Sequence, residues 1–246
     1  MKLRLKLGLI LFVLGFLGVL SLLTATIPLS EQIAQMPAFM ANILTLLSPT
    51  ILLLVSVVVG TILYDKVNFT VPVISSLLKK ENAKIIFLQK LKYGIPLGLL
   101  AGIVIVLAAW VFNLIIPHEF EALGSQTQIT LLVRFGYGGI TEELLLRFGV
   151  MTFLVWLMFK LIKKLNNPIY WIGIAISTLL FALGHFPVVF VAVPVPSFTL
   201  LTYILIGNSV GGLVFGWLYW KKGLEAAIIA HIFAHAAMIL GGLLIN

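Results

Sequence analysis

The 246-residue chain contains no cysteine. This absence excludes a disulfide-stabilised secreted scaffold, a thiolate zinc finger, an iron–sulfur protein and an enzyme with a cysteine nucleophile. Charge is scarce as well, because Asp, Glu, Lys and Arg make up 10% of the chain while hydrophobic residues make up 61%. A soluble domain is about half apolar and about a quarter charged. So few charges cannot cover so much apolar surface, and the composition therefore predicts a polytopic membrane protein.

Hydrophobic runs long enough to cross the bilayer occur along the whole chain. A helix needs roughly 20 residues to cross about 30 Å of hydrocarbon. Seven runs meet this length or come close to it: 7–27, 43–64, 93–116, 129–159, 169–185, 198–220 and 224–245. We therefore predict an all-α fold, a polytopic transmembrane helical bundle of about seven spans within a range of six to eight. The first run is expected to remain as an anchor, because it is longer than the apolar part of a usual signal peptide.

The basic residues lie in clusters between these runs. Of 16 Lys and Arg, 14 fall on one side of a seven-span topology, and the alternate connectors 28–42, 117–128 and 186–197 hold none. The positive-inside rule then places the N-terminus in the cytoplasm and Asn246 outside, in what we expect to be the plasma membrane. Because such clusters set orientation, the net charge of +8 does not predict a nucleic-acid partner. The stretch 71–92 fits either a helix on the anionic membrane surface or a solvated basic loop.

Ionisable residues inside the hydrophobic runs are the candidates for function, because burying charge in a membrane is costly. They concentrate in three runs. The fourth holds an acidic pair and an arginine, the fifth ends on a histidine and the seventh contains two histidines: Glu142, Glu143, Arg147, His185, His231 and His235. Arg134 is a second arginine in the fourth run.

Helical spacing predicts how these groups are used. Glu143 precedes Arg147 by four residues, which is the favoured order for an ion pair on one helix face. Glu142 lies about 100° away around the helix axis. It lacks that partner and is free to face a cavity as a general base. His231 and His235 share one helix face, and Phe181 shares another with His185.

One carboxylate and three imidazoles on three helices fit a hydrolase that activates water. In one version zinc is held by these groups, Glu142, His185, His231 and His235, and activates the water. In a metal-free version Glu142 and His185 deprotonate the water, and the other two histidines donate hydrogen bonds to the oxyanion. The cofactor is therefore either zinc or none. The same residues also fit a proton- or ion-coupled transporter, and a non-catalytic membrane scaffold or immunity protein is a third interpretation.

Three short motifs carry a family resemblance. The patterns Glu-Glu-x-x-x-Arg at 142–147, Phe-x-x-x-His at 181–185 and His-x-x-x-His at 231–235 resemble, in order and spacing, the motifs of the CPBP family. This family, also called Abi, contains CAAX prenyl proteases and bacteriocin-processing enzymes. The resemblance covers roughly residues 131–244. It implies an all-helical intramembrane endopeptidase with a polar cavity. Members of the family have been described both as metalloproteases and as metal-independent enzymes that use a glutamate.

The resemblance also implies roles for the motif residues. Glu142 is the general base and His185 its helper, His231 and His235 line the oxyanion side, and the remaining pair, Glu143 and Arg147, supports the site. The prenyl-protease branch commonly has Asn at the last motif position, where this chain has His235. His binds metals and Asn is a poor zinc ligand. The change therefore weakens the assignment of a prenylated protein as substrate, and it makes a bound metal somewhat more plausible.

The resulting expectation is an intramembrane endopeptidase acting on a membrane-associated or lipidated peptide or protein in the lipid bilayer. Residues 1–128 are expected to form an N-terminal transmembrane region and residues 129–246 the catalytic core, within one integrated domain. Straight helices would leave His185 nearer the outer face than the other groups. We therefore expect a tilted helix, a break at 136–139 or a fifth span that begins later in the sequence to bring the groups to one depth. The proline-containing connector 186–197 is a candidate lid, and Asn208 a candidate cavity residue.

Overall fold

The computed structural model describes residues 2–26 and 31–245. Regular structure in these two stretches is helical, apart from an isolated antiparallel bridge between Thr26 and Gln128. The α-helices are Lys2–Ser21, Glu31–Ala34, Ala38–Leu63, Pro72–Lys79, Ala83–Ile115, Pro117–Gln126, Thr152–Ile162, Asn167–Gly184, Phe186–Ala192, Phe198–Lys222 and Leu224–Ile245. Two stretches are wound as π-helix, Val133–Glu142 and Leu144–Met151, and two are short 3-10 helices, Leu22–Thr24 and Tyr64–Val67.

Within residues 2–26 and 31–245, seven helical segments are long and apolar enough to cross a membrane. We number them spans 1 to 7: Lys2–Thr24, Ala38–Val67, Ala83–Ile115, Val133–Ile162, Asn167–Ala192, Phe198–Lys222 and Leu224–Leu243. They confirm the predicted all-α bundle of seven spans, and the chain is an integral membrane protein. The predicted end of the first run at residue 27 and the C-terminal Asn246 lie outside the described residues.

The connector between spans 2 and 3 differs from its prediction. The stretch 71–92 was expected to be one surface helix or a loop, but the structure divides it into the helix Pro72–Lys79 and the first turns of span 3. Lys80 ends the first helix in the left-handed conformation. The Asn82 side chain then accepts a hydrogen bond from the Ile85 backbone N–H at 3.3 Å, which caps a new helix and starts span 3 ten residues before its hydrophobic run.

One end of the bundle gathers the connectors that carry lysine, and we call it the lysine-rich end. Arg4 forms an ion pair with Asp65 there. The Tyr170 hydroxyl donates to the Val67 carbonyl oxygen at 3.0 Å. Glu225, at the start of span 7, accepts hydrogen bonds from the first N–H groups of the helix Pro72–Lys79, at 2.8 and 3.0 Å. A carboxylate at a helix N-terminus satisfies unpaired donors and the helix dipole.

The opposite end holds the connectors without basic residues, and we call it the lysine-poor end. Thr26 and Gln128 exchange backbone hydrogen bonds there at 2.9 and 3.0 Å. The Glu119 carboxylate, in the helix Pro117–Gln126, accepts from both the backbone N–H and the hydroxyl of Ser197. The connectors with and without lysine therefore lie at opposite ends of the bundle, as the charge count predicted. Which of the two ends faces the cytoplasm stays a prediction.

Span 4 is the central helix, because it packs against spans 1, 2, 5 and 7. Leu144, Phe148 and Met151 are fully buried in these contacts. The Thr141 hydroxyl donates to the Gly15 carbonyl oxygen of span 1 at 2.7 Å. By contrast, large apolar side chains cover the outer faces of spans 2 and 3, for example Leu54 at 51% exposed. Thr141, Glu143 and Arg147 of span 4 are thus held inside the bundle, away from lipid.

Small residues allow span 3 to lie close to span 7. A Cβ added at Gly102 would stand 2.5 Å from the Ala234 carbonyl oxygen. Glycine therefore lets the two backbones touch, as close contacts between membrane helices generally require. This contact fixes span 7, which carries two of the candidate histidines.

Candidate active site

The acidic pair lies where span 4 is wound as a π-helix. Its i→i+5 hydrogen bonds make wider turns than those of an α-helix, and such turns occur frequently at functional sites. A wider turn also shortens the helix for a given number of residues, so Glu142 lies nearer the lysine-poor end than an α-helical count predicts. The break expected at 136–139 is not what the structure contains, because the π winding runs unbroken over Val133–Glu142.

Glu143 and Arg147 form a fully buried ion pair. Glu143 Oε2 lies 3.3 Å from Arg147 Nε, although the two atoms are not aligned for a hydrogen bond. Arg147 Nη2 donates to the Gly212 carbonyl oxygen of span 6 at 3.3 Å, and its guanidinium lies 4.9 Å from the centre of the Phe181 ring. A buried charge needs such a partner, and the pair therefore ties spans 4, 5 and 6 together.

The other oxygen of Glu143 binds His231. Glu143 Oε1 lies 2.9 Å from His231 Nδ1, and Phe215 stacks on the imidazole with ring centres 4.5 Å apart. In the neutral imidazole this contact assigns the single N–H to Nδ1 and leaves a lone pair on Nε2. The sequence pattern did not predict this bond, because Glu143 already had a partner one helical turn away and His231 is 88 residues distant.

Glu142 points into a cavity. Its Oε2 atom lies 3.8 Å from His231 Nε2, and its side chain is 16% exposed. The cavity has a volume of about 470 Å³, and its lining includes Glu142, His185, His231 and His235. The structure thus brings the carboxylate and the three imidazoles, predicted from three separate runs, to one space between the spans.

His185 occupies the joint at which span 5 changes direction. It follows the helix Asn167–Gly184 and precedes the helix Phe186–Ala192. Its Nδ1 atom lies 2.9 Å from the Phe181 carbonyl oxygen, so the ring folds back by about one helical turn, or roughly 5 Å, toward the middle of the membrane. The Phe181 ring contacts both His185 and His231, with centres 5.0 and 5.9 Å apart. This fold-back accounts for the depth mismatch expected from straight helices.

His235 stacks on His231 with ring centres 5.0 Å apart. Its Nδ1 atom is buried and has no hydrogen-bond partner among the described residues. A Cβ added at Gly138 would lie only 2.6 Å from His235 Nε2. Glycine at this position of span 4 therefore makes the room in which the His235 ring lies.

The residues predicted as zinc ligands share the cavity without forming a coordination site. Across the described parts of the chain, no three His, Asp or Glu side chains are grouped so as to hold a metal ion. The Nδ1 atoms of His185 and His231 already contact protein acceptors, so each ring has only Nε2 to offer. The arrangement of these side chains therefore does not fit a zinc ion.

The cavity extends toward the lysine-poor end, where Leu22, Thr127 and Ile129 line it. Asn208, the predicted cavity candidate, also lines it and donates to the Ile204 carbonyl oxygen at 2.8 Å. Three further aromatic residues, Tyr137, Tyr203 and Phe215, line the cavity. They were not predicted, because aromatic residues in apolar spans carry no distinguishing pattern. The helix Phe186–Ala192 contributes Val188 and Val189 to the wall, while its role as a lid stays a prediction.

Comparison with protein families finds a match to part of the chain. Residues 124–237 match the family model described as Type II CAAX prenyl endopeptidase Rce1-like. The match covers a little under half of the chain, and it confirms the resemblance to CAAX proteases. In general terms the match supports a CAAX-type intramembrane endopeptidase. Neither the curated proteins nor the solved structures gave a significant match.

Proposed function

We propose that this protein hydrolyses a peptide bond in a membrane-associated or lipidated peptide or protein, with Glu142 as the general base. The observation that carries the proposal is the position of Glu142 in the cavity, 3.8 Å from His231 Nε2. Arg147 is within ion-pair distance of Glu143, which leaves the Glu142 carboxylate free to accept a proton. A general base must reach its water at hydrogen-bond distance, and an acid lining a cavity meets this condition.

The attacking water is placed between Glu142 and His231. Two acceptors 3.8 Å apart can both lie about 2.8 Å from one water, which then donates one hydrogen to each. Glu143 holds the tautomer that leaves His231 Nε2 able to accept. His185 Nδ1 donates to the Phe181 carbonyl in the same manner. Its Nε2 is therefore also an acceptor in the cavity. Because the two hydrogens of the water go to Glu142 and His231, we assign His185 to assist Glu142 by accepting from its carboxyl group once that group carries the proton.

This assignment changes the role of one histidine. The helical spacing predicted His231 at the oxyanion, but the neutral ring has one N–H and Glu143 accepts it. We therefore assign the oxyanion to the Nε2–H of His235, which lines the cavity, and to the second amide hydrogen of Asn208. In the reaction the water oxygen bonds to the carbonyl carbon as its proton passes to Glu142. Collapse of the tetrahedral intermediate breaks the C–N bond, and Glu142 returns the proton to the leaving nitrogen.

We also propose how the chain is divided, how it is oriented in the membrane and what substrate reaches the site. Residues 129–246 form the catalytic core and residues 1–128 support it. The lysine-rich end faces the cytoplasm of the plasma membrane, as the positive-inside rule requires, so the cavity extends toward the opposite face. The substrate is a peptide or prenylated protein that reaches the cavity from the bilayer.

The test compares purified wild-type protein with Glu142→Gln in proteoliposomes, using a farnesylated peptide and an unlipidated peptide of the same sequence. Glu142→Gln is expected to lower cleavage by about 10²- to 10⁴-fold, because removing a general base has that effect. The control is Glu81→Gln, since Glu81 is exposed in the lysine-rich connector. Cleavage by Glu142→Gln within tenfold of wild type would contradict the assignment.

The same preparation separates the alternatives. Activity lost on chelation and restored by zinc would indicate the metal version instead of the glutamate version. Ion or proton flux that depends on Glu142, without peptide cleavage, would indicate the transporter that the sequence left open.

A further inference from the structure

Thr141 immediately precedes the proposed general base and contacts span 1. Its side chain is fully buried, and its hydroxyl donates to the Gly15 carbonyl oxygen of span 1 at 2.7 Å. A longer contact of 3.4 Å joins the same hydroxyl to the Gly136 carbonyl oxygen in its own helix. Glu142, the next residue, lines the cavity. The two neighbours therefore face different sides of span 4, one toward span 1 and the other toward the proposed site of reaction.

Span 1 has glycine where it meets this part of span 4. A Cβ added at Gly18 would overlap both the Thr141 hydroxyl and the Gly136 carbonyl oxygen. A Cβ added at Gly15 would stand 2.7 Å from a methyl carbon of Leu144. Glycine thus lets the two backbones approach closely, as contacts between membrane helices generally require. Because the contact leaves no free space, span 4 cannot turn or slide here without meeting span 1.

Span 7 closes the opposite side of the same stretch. A Cβ added at Gly139 would overlap the Ile232 side chain, and one added at Gly138 would lie 2.6 Å from His235 Nε2. The π-helix Val133–Glu142 is therefore held between spans 1 and 7. Because π-helix is rare and occurs mostly as single turns, a stretch of this length depends on the neighbours that hold it.

A small rotation of span 4 would displace the proposed base by a distance that matters. The side-chain surface of a helix lies about 5–6 Å from its axis, so a rotation of about 10° moves a group there by about 1 Å. Glu142 Oε2 and His231 Nε2 are 3.8 Å apart, and a displacement of about 1 Å would spoil their shared hold on one water. Misplacement of that size can lower a rate about 10²-fold.

We propose that the Thr141 hydroxyl, held by the Gly15 carbonyl of span 1, is a positioning group that aims Glu142 at the attacking water. Thr141 acts through Glu142 and is not itself assigned to touch substrate or water. The family match begins at residue 124, so the proposal brings span 1, which lies outside that match, into the support of the site. This inference rests on the proposed protease function and adds a positioning residue to it.

The experiment replaces Thr141 by two residues that separate its hydroxyl from its shape. Thr141→Val keeps the branched side chain and loses the donor. It is expected to lower kcat for a farnesylated peptide in proteoliposomes by about 10- to 100-fold, with KM within about twofold of wild type, because the substrate contacts are unchanged. Thr141→Ser keeps the donor and should retain most of the wild-type kcat. Wild-type kcat in Thr141→Val would overturn the proposal.

A matched control removes another buried hydroxyl from the same span. Thr152 is fully buried, and its hydroxyl lies 2.9 Å from the Tyr219 hydroxyl of span 6. Thr152→Val is expected to lower the melting temperature at least as much as Thr141→Val does, because each loses a buried hydrogen bond between spans. Its kcat per folded molecule should equal that of wild type. Equal losses of kcat in the two variants would assign Thr141 to packing alone and overturn the proposal.

A labelling measurement separates this proposal from the proposed function. The chain has no cysteine, so Glu142→Cys places a single thiol at the position of the base. A water-soluble methanethiosulfonate modifies this thiol as a thiolate, and the rate therefore reports how far the position faces the cavity. Adding Thr141→Val is expected to lower the rate severalfold, whereas adding Thr141→Ser or Thr152→Val should leave it unchanged.

The two readouts distinguish two kinds of failure. If wild type cleaves no peptide but labelling depends on the Thr141 hydroxyl, the protease assignment fails and the positioning by span 1 stands. If wild type cleaves the peptide and neither kcat nor labelling responds to Thr141→Val, the protease stands and the positioning role fails.

Discussion

Gly138→Ala tests whether the packing of span 4 against His235 matters for cleavage. The added Cβ would lie 2.6 Å from His235 Nε2, whereas carbon and nitrogen atoms in contact prefer about 3.5 Å or more. The imidazole must therefore move by about 1 Å. A displacement of that size in a catalytic group can lower the rate about 10²-fold, while overpacking typically costs about 1–3 kcal/mol of stability. We expect a large loss of cleavage together with a modest loss of stability.

The assay measures cleavage of a farnesylated peptide and, in parallel, thermal unfolding in detergent. Gly124→Ala is the control, because a Cβ at this exposed position meets nothing within 4 Å. In Gly138→Ala/His235→Ala the clash is absent, so its stability should equal that of His235→Ala alone. Wild-type cleavage by Gly138→Ala, or a stability loss that persists in the double variant, would refute the reasoning.

Two further substitutions separate the support of the site from the support of the fold. Glu143→Gln removes the charge partner of buried Arg147 and should lower the free energy of unfolding by about 3–5 kcal/mol. Cleavage should fall as well, because a neutral amide holds the His231 N–H more weakly than a carboxylate does and can present its NH2 to the ring instead. Thermal unfolding in detergent and peptide cleavage measure the two effects, and an unchanged melting temperature would contradict the ion pair. Glu225→Ala removes both hydrogen bonds to the helix Pro72–Lys79 and should cost about 1–2 kcal/mol. Its cleavage rate per folded molecule should equal that of wild type, and a selective loss of cleavage would contradict a purely structural role.

The number of spans could be predicted from composition because lipid-exposed apolar residues leave a long, continuous signal. The bounds of the spans could not be predicted in the same way. A hydrophobic run ends at the first lysine, whereas a helix begins or ends at a residue that caps its free backbone groups. Span 3 illustrates this difference. Its first turns carry Lys84 and Lys90, which the hydropathy pattern excludes, yet the Asn82 cap starts the helix before them. Long basic side chains at a span end can reach water along the helix surface.

The residues that the structure brings together could be predicted by identity, while their roles stay predictions. Ionisable groups are rare in membrane spans, so six of them in three runs narrowed the search before any geometry was known. The hydrogen-bond partners of these residues were harder to predict, because spacing along the sequence identifies only neighbours on the same helix. The Glu143–His231 bond joins two spans, and no local pattern encodes it. The π winding of Val133–Glu142 was missed for a similar reason, since α and π turns place residues four apart on nearly the same face.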